Sequence, residues 1–156
     1  STQGAGAEAI RANSSGVGSA GSVFITVSGQ VSTLLDGSDA LVANSTGGPV
    51  IVITQGVSTE GAGAQGILVN TGGTGADGAI SVSAQGQVST EKDGAEGIYA
   101  RSAGGPVFVS AQGISTLGAG AEGLLDDGHH EVIGVGRLLE EPVERLVLLR
   151  RIGGGS

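Results

Sequence analysis

A Ser-Thr dipeptide recurs along this chain at two alternating intervals, 31 and 26 residues. The unit that repeats is therefore a 57-residue doublet, and the opening stretch STQGAGAEAI returns one doublet later as STEGAGAQGI. Repetition at a fixed period is the signature of a stacked array, in which each repeat buries its apolar face against its neighbours. The repeats that we assign are residues 1–31, 32–57, 58–88, 89–114 and the start of a last one, 115–125.

Equivalent positions of the repeats form columns, and three of these columns are apolar. The first consists of Ile10, Leu41, Ile67, Ile98 and Leu124, and the second of Val31, Val57, Val88 and Ile114. The third comes from alternating runs that contain Val23, Ile25 and Val27, then Val50 and Val52, Ile80 and Val82, and Val107 and Val109. Period-two alternation indicates β-strands. Each coil is predicted to have about three short strands, with identical residues stacked about 4.8 Å apart in parallel sheets.

Glycine marks the corners between these strands. One glycine column recurs in every repeat, where a turn needs either a positive φ or the absence of a Cβ: Gly6, Gly37, Gly63, Gly94 and Gly120. The five-residue difference between odd and even repeats is predicted to fall at a single corner. There the stretches 14–22 and 71–79 replace the shorter STGGPV and SAGGPV. The longer corners are predicted to project as loops on alternate coils.

Composition narrows the class of protein further. With 32 Gly in 156 residues and only 2% aromatic residues, an ordinary core built on aromatic side chains is not expected, and Ala, Val and Ile must fill the interior. The chain has no Cys, so neither a disulfide nor a thiolate is available. A formal charge of -8 argues against a nucleic-acid partner, and no apolar run is long enough for a membrane span. The predicted fold is an all-β, parallel β-solenoid of about five coils.

The last part of the chain departs from the repeats. Residues 126–156 hold 10 of the 22 charged residues and both histidines. Pro142 at a first-turn position and two arginines near the end favour a short helix, and a strand in VERLVLL is the alternative. We interpret residues 126–152 as a cap over the last coil or as an assembly segment, and residues 153–156 as a linker-like tail.

Two groups of side chains are candidates for metal or catalytic sites. His129 and His130 are adjacent, with Asp126, Asp127 and Glu131 close by, but no further ligand follows at a known zinc spacing. The second group is a mostly acidic column, in which stacked carboxylates raise one another's pKa or attract a cation: Glu8, Asp39, Gln65, Glu96 and Glu122. We interpret the histidines as structural or exposed and the column as a solvated face, and we predict no catalytic, metal or cofactor site.

The repeat units also resemble a known family. STLLDGSDALVANSTGGPVIVITQGV and STEKDGAEGIYARSAGGPVFVSAQG are similar to the tandem repeats in passenger regions of Gram-negative autotransporters, which are large surface or secreted β-solenoid proteins. The resemblance covers residues 1 to about 125 and rests on a G-A-x-G-I block, a Gly-Gly corner and a V-x-V strand. It implies a right-handed parallel β-helix, a bacterial cell-surface or extracellular location, and a scaffold or adhesin role. The tail matches no family feature, so a grafted or designed cap is an alternative there.

The sequence is compatible with three functions. The favoured one is a non-enzymatic structural module, a rigid scaffold or spacer that contributes to adhesion or self-association, with itself or another surface protein as partner. The second is an adhesin module that binds a glycan or protein through the long corners, of which one carries Asp77. The third is a polysaccharide-cleaving β-helix, which is disfavoured because its candidate basic residues, Arg11, Lys92 and Arg101, are sparse.

Overall fold

The computed structural model describes residues 1, 4–126 and 137–140 of the chain. Ten strands follow one another in these residues: β1 Ile10–Val17, β2 Val23–Thr33, β3 Leu41–Gly47, β4 Val50–Thr59, β5 Ile67–Thr74, β6 Ile80–Thr90, β7 Ile98–Gly104, β8 Val107–Thr116, β9 Leu124–Asp126 and β10 Arg137–Glu140. Two short 3₁₀ turns, Gly18–Gly21 and Gly75–Gly78, lie in the two long corners.

The strands form two parallel sheets, and successive strands of the chain alternate between them. The first sheet has the order β1-β3-β5-β7-β9, and the second has the order β10-β8-β6-β4-β2. Each coil contributes one strand to each sheet, so the described residues make about four complete turns, and β9 and β10 begin another. This arrangement confirms the predicted all-β, parallel β-solenoid, and the prediction of about five coils is close.

The predicted apolar columns are the core. Register places Ile10, Leu41, Ile67, Ile98 and Leu124 opposite one another in the first sheet, and Val31, Val57, Val88 and Ile114 in the second. Interior members such as Leu41 and Ile67 are fully buried. Burying a Val, Leu or Ile side chain contributes about 1.5–3 kcal/mol, so the columns are the main source of stability. The two Phe residues point outward from the second sheet, and Ala, Val, Ile and Leu fill the interior.

The prediction of three strands per coil was wrong, because a coil has two. The V-x-V run and the following Val or Ile column belong to one long strand, such as β4, which continues through a register shift between Thr54 and Val57. The same shift occurs between Val27 and Gln30 in β2 and between Ala84 and Gln87 in β6. Each shift contains a glycine, and at Gly86 an added Cβ would clash with the Gln55 carbonyl of the preceding coil. The strand therefore bends at this point without ending.

Odd coils are longer than even coils, and the extra residues lie in two places. The prediction that they all lie in a single corner was therefore wrong. The long corners add four residues, because Ser14–Ser22 replaces the five-residue stretch Ser45–Pro49. The fifth residue is a bulge inside the long strand: two residues of β2 between Val27 and Gln30 lie opposite one residue of β4. A bulge adds one residue to one strand while the pairing resumes beyond it.

The recurrent glycine column is explained by backbone conformation. Gly6, Gly37, Gly63, Gly94 and Gly120 have φ values between 64° and 69°. A Cβ at these glycines would meet no atom within 4 Å, so space is not the constraint. Positive φ is costly for residues that carry a Cβ, and this cost keeps glycine in every coil.

One strand lies within the segment that the sequence assigns to the cap. β10 pairs in parallel with β8, with Leu138 opposite Ile114 and Glu140 opposite Thr116. The second sheet therefore extends beyond residue 125. The predicted helix from Pro142 and the histidine pair lie outside the described residues, so the cap or assembly role of the tail stays a prediction.

Candidate functional surfaces

The acidic column lies at the start of the first sheet. Its residues are stacked on successive coils, as shown by backbone hydrogen bonds from Ala9 to Asp39, from Ala40 to Gln65 and from Gly66 to Glu96. Two of the carboxylates have protein partners. Glu8 forms a 2.8 Å ion pair with Arg11, and the Oδ1 atom of Asp39 accepts a 2.8 Å hydrogen bond from the backbone N–H of Gln65. The Asp39 carboxylate thus links the second coil to the third.

Within the acidic column, the fold shifts the pKa of the Asp39 carboxyl. Burial raises the pKa of this carboxyl above its ordinary value of 3.8, and the negative charges of Glu8 and Glu96 raise it further. The Gln65 backbone N–H and the Arg11 guanidinium favour the carboxylate and oppose the rise. Mutual repulsion along the column, which the sequence suggested, is therefore present but secondary to burial.

The described residues contain no group of three or more His, Asp or Glu side chains placed to hold a metal ion. The histidine pair that the sequence raised as a metal candidate, His129 and His130, lies outside that part of the chain, as do Asp127 and Glu131. Asp126 ends β9, opposite Ala100. Arg11 and Arg101 are not brought together, since Arg11 lies in the first coil and Arg101 in the fourth, on different columns of the first sheet.

In the recurrent Ser-Thr pairs, the Thr side chain points inward and the Ser side chain points outward, because successive residues of a strand face opposite sides. The threonines Thr33, Thr59 and Thr90 are fully buried, and the serines beside them are half-buried on the outer side. Each buried hydroxyl donates a hydrogen bond to a backbone carbonyl five residues later; for Thr59 the acceptor is the Ala64 carbonyl at 2.9 Å, and for Thr90 it is the Ala95 carbonyl at 2.8 Å. These hydrogen bonds stabilise the turn that follows each long strand.

A second set of hydroxyls stabilises the short corners by hydrogen bonds. Ser45 donates a 2.8 Å hydrogen bond to the Gly21 carbonyl of the preceding coil and accepts one of 2.7 Å from the Gly48 N–H. Ser102 repeats this arrangement one doublet later with Gly78 and Gly105. These contacts were not predicted, although the recurrence of Ser two residues before Gly-Gly in both short corners was a signal for them.

The two long corners carry several exposed residues. Val17 is 77% exposed at the first of them, and Asp77 is exposed at the second. A Cβ built on Gly18 would lie 3.7 Å from the Asp77 carboxylate, so the corners of the first and third coils approach each other across the short corner of the second. The loops predicted from the sequence thus make one ridge on the solenoid surface.

An apolar stripe crosses the outer face of the second sheet. Phe24, Ile51, Ser81 and Phe108 are register partners, and Phe24 is 65% exposed. This stripe was not predicted. Its signal was present in the runs VFITV and PVFVS, where each Phe stands between two inward-facing residues and must point outward.

Comparison with protein-family models, with curated proteins and with solved structures yields no match. Within the described residues, no helix is long and apolar enough to cross a membrane.

Proposed function

We propose that this chain is a non-enzymatic structural module, a rigid β-solenoid scaffold or spacer of a surface-exposed or secreted protein that contributes to adhesion or self-association. The observation that carries this proposal is that hydrogen bonds between equivalent side chains join each coil to the coil beside it. Asn70 donates a 2.9 Å hydrogen bond to Asn44, and Gln55 donates one of 2.8 Å to Gln85. Both bonds link equivalent outward-facing positions of adjacent coils.

Such contacts favour a rod whose length is set by the number of coils. Parallel strands stack about 4.8 Å apart, and in a solenoid each repeat contacts only its neighbours. A doublet added in register is expected to reproduce every contact of the existing array. Length can therefore change without altering the cross-section, which is the property that a spacer requires.

The test is a series of chains with one, two or three extra copies of residues 58–114 inserted after Ile114. We expect the maximum dimension from small-angle X-ray scattering to rise by about 9.6 Å per doublet, twice the strand spacing, at constant cross-sectional radius. A matched control inserts residues 89–114 alone, which places an even coil on an even coil. It is expected to fold poorly, because Lys92 then occupies a position that close backbone contact keeps as glycine in Gly61 and Gly118.

Growth in cross-section, or a length that rises without regular steps, would contradict the spacer proposal. Equal behaviour of the doublet and the single-coil insertions would also count against it, since the contacts between coils would then not control assembly.

A second candidate is recognition of a glycan or protein by the ridge of long corners. It is favoured by the exposure of Val17 and by the approach of Asp77 to Gly18. Replacing Ser14–Ser22 with STGGP and residues 71–79 with SAGGP leaves the strands their natural short connection. Loss of binding to a glycan array or to cell-surface protein by this folded variant would support recognition by the ridge, whereas unchanged binding would exclude it.

The proposed location outside the cell rests on the resemblance of residues 1–125 to autotransporter passenger repeats. Display of the chain on a bacterial surface, followed by protease shaving of intact cells, tests whether it is compatible with that location. A non-enzymatic role predicts no turnover on a panel of polyuronides, and robust cleavage of any of them would overturn it.

A further inference from the structure

The second sheet has a broad outer surface without charge. Its strands β2, β4, β6 and β8 contain no Asp, Glu, Lys, Arg or His, although the whole chain holds 22 charged residues. The outward-facing positions of these strands hold Phe, Ile, Ser, Thr and Gln. Charge returns in this sheet at β10, with Arg137 and Glu140. We call the outward-facing side chains of β2, β4, β6 and β8 the uncharged face.

The apolar side chains of the uncharged face are exposed in the middle of the sheet. Ile51 and Phe108 are 37% and 41% exposed, although β4 and β8 each have a partner strand on both sides. Their exposure is therefore a property of the face and not of a sheet edge. Ser81 is the register partner of both residues and lies between them. The short Ser81 side chain leaves a gap in the apolar column, and such relief favours interdigitation with an opposing sheet.

Charged residues lie on the other described surfaces. The outer face of the first sheet holds Arg11 and Arg101, the turns after the long strands hold acidic residues such as Glu60 and Glu91, and one long corner holds Asp77. A net charge of -8 makes two copies of the chain repel each other at long range. Contact through the uncharged face buries no charged side chain of these four strands. It also leaves the acidic turns at the rim of the contact, where salt screens them.

The uncharged face is large enough for a specific contact between two proteins. Its strands are 10 or 11 residues long, so together they cover about 33 Å along the strands and about 19 Å across them. Two such faces packed together bury about 1,200 Å² in total, which reaches the range of specific interfaces. The Gln55 amide already donates a hydrogen bond to Gln85 within the face, which lowers the cost of burying these two side chains.

We propose that a second copy of this chain docks on the uncharged face, so that the two second sheets pack face to face in a two-fold symmetric dimer. Charge and area specify this occupant. A second copy offers an identical neutral face of the same size, whereas its first sheet and its turns would bring charge into the contact. Two-fold pairing is the commonest association of identical chains. The inference rests on the proposed contribution to self-association and assigns the surface responsible for it.

The first test is sedimentation equilibrium of the full chain at increasing concentrations. We expect a monomer–dimer equilibrium with a dissociation constant below about 1 mM. The double variant Ile51→Ser/Phe108→Ser is expected to raise this constant by at least about thirtyfold, because it truncates the apolar side chains at the centre of the contact. Val17→Ser is the matched control, since Val17 is an exposed apolar residue on a long corner, and it is expected to leave the constant unchanged.

The double variant is expected to fold like the parent. Serine already occupies position 81, between Ile51 and Phe108 in the same column. The circular dichroism spectrum and the thermal midpoint, measured at a dilution where the parent is monomeric, are therefore expected to be unchanged.

The second test places charge on the uncharged face. Ser110 is exposed there, in register with Ser83. In a two-fold dimer both copies carry the substituted residue into the same interface, so Ser110→Asp and Ser110→Lys are each expected to weaken association at least about tenfold. An equimolar mixture of the two variants is expected to associate more tightly than either alone, because opposite charges then meet. Ser15→Asp, at an exposed serine outside the face, is the matched control and is expected to have no effect.

A chain that stays monomeric up to about 1 mM would overturn the proposal, and the insertion series would still test the spacer by its length. Association that survives both the double variant and Ser110→Asp would also overturn it, since self-association would then use another surface. A lower thermal midpoint of the dilute double variant, without any change in mass, would show that another segment of the same chain covers the face. A mixture no tighter than its separate variants would contradict the two-fold contact.

Discussion

Two buried threonines of one strand are predicted to respond in opposite directions to the same substitution. Thr54 and Thr59 both lie in β4, and both are 0% exposed. The Thr59 hydroxyl donates a 2.9 Å hydrogen bond to the Ala64 carbonyl. Among the described residues, the Thr54 hydroxyl has no hydrogen-bond partner. Valine has nearly the shape of threonine, so each replacement changes mainly the hydroxyl.

The magnitudes follow from these contacts. Thr59→Val leaves the carbonyl of the fully buried Ala64 without this donor, and an unsatisfied buried polar group costs about 1–3 kcal/mol. Thr54→Val removes a hydroxyl that is buried without compensation, and we expect a gain of about 1 kcal/mol. The site accepts valine, because the register partner of Thr54 in the first coil is Val27. The two variants are therefore expected to differ by about 2–4 kcal/mol.

Urea denaturation followed by far-ultraviolet circular dichroism measures both effects. With a slope of about 2 kcal/mol/M, the middle of the usual range for urea, the midpoints of the two variants are expected to lie on either side of the parent and about 1–2 M apart. Equal slopes would show that the unfolding transition is the same in all three proteins. Destabilisation by both substitutions, or a higher midpoint for Thr59→Val, would refute the assignment of these hydroxyls.

Three further substitutions test the core, the turn and the acidic column. Ile98→Ala truncates a fully buried member of the first apolar column and is expected to lower the free energy of unfolding by about 2–5 kcal/mol in urea titrations; a loss below about 1 kcal/mol would contradict the position of the column. Gly61→Ala is expected to lower the thermal midpoint because its Cβ would clash with the Leu35 carbonyl, and an unchanged midpoint would show that the coils are not so closely stacked. Asp39→Asn is expected to stabilise the protein at neutral pH. The raised pKa of Asp39 means that its protonated form favours the folded state, so parent stability falls as pH rises above about 3.8. The advantage of Asp39→Asn should vanish below that pH, and an advantage that does not depend on pH would contradict the perturbed pKa.

The repeat period and the apolar columns were sufficient to predict the fold. A residue such as Ile67 has equivalents at fixed spacing in every coil, and only stacking in register buries all of them on one side. These predictions succeeded because each depends on a period, and the period is the same in every coil.

Features that depend on contact between unlike coils were not predicted. The bulge in β2 adds only one residue, and spacing between Ser-Thr pairs cannot separate it from a longer corner. The hydrogen bond from Ala62 to Asp36 joins equivalent positions of adjacent repeats, but these positions hold unlike residues. A search for columns of similar residues overlooks such a contact, because Asp and Ala alternate at this position. The alternation of Asp-Gly with Gly-Ala-Gly was visible in the sequence, but its meaning required the three-dimensional stack.

The most direct test of the stacked architecture is a set of distances along one outward column. Ser32, Ser58, Ser89 and Ser115 are register partners on successive coils, and the chain has no native Cys to interfere with spin labelling. Cysteine pairs that join position 32 to each of the other three would be labelled and measured by dipolar electron paramagnetic resonance. Parallel stacking predicts separations that grow by about 4.8 Å per coil, to about 14 Å for the longest pair. Separations that do not increase in this order, or that greatly exceed 14 Å, would contradict the β-solenoid.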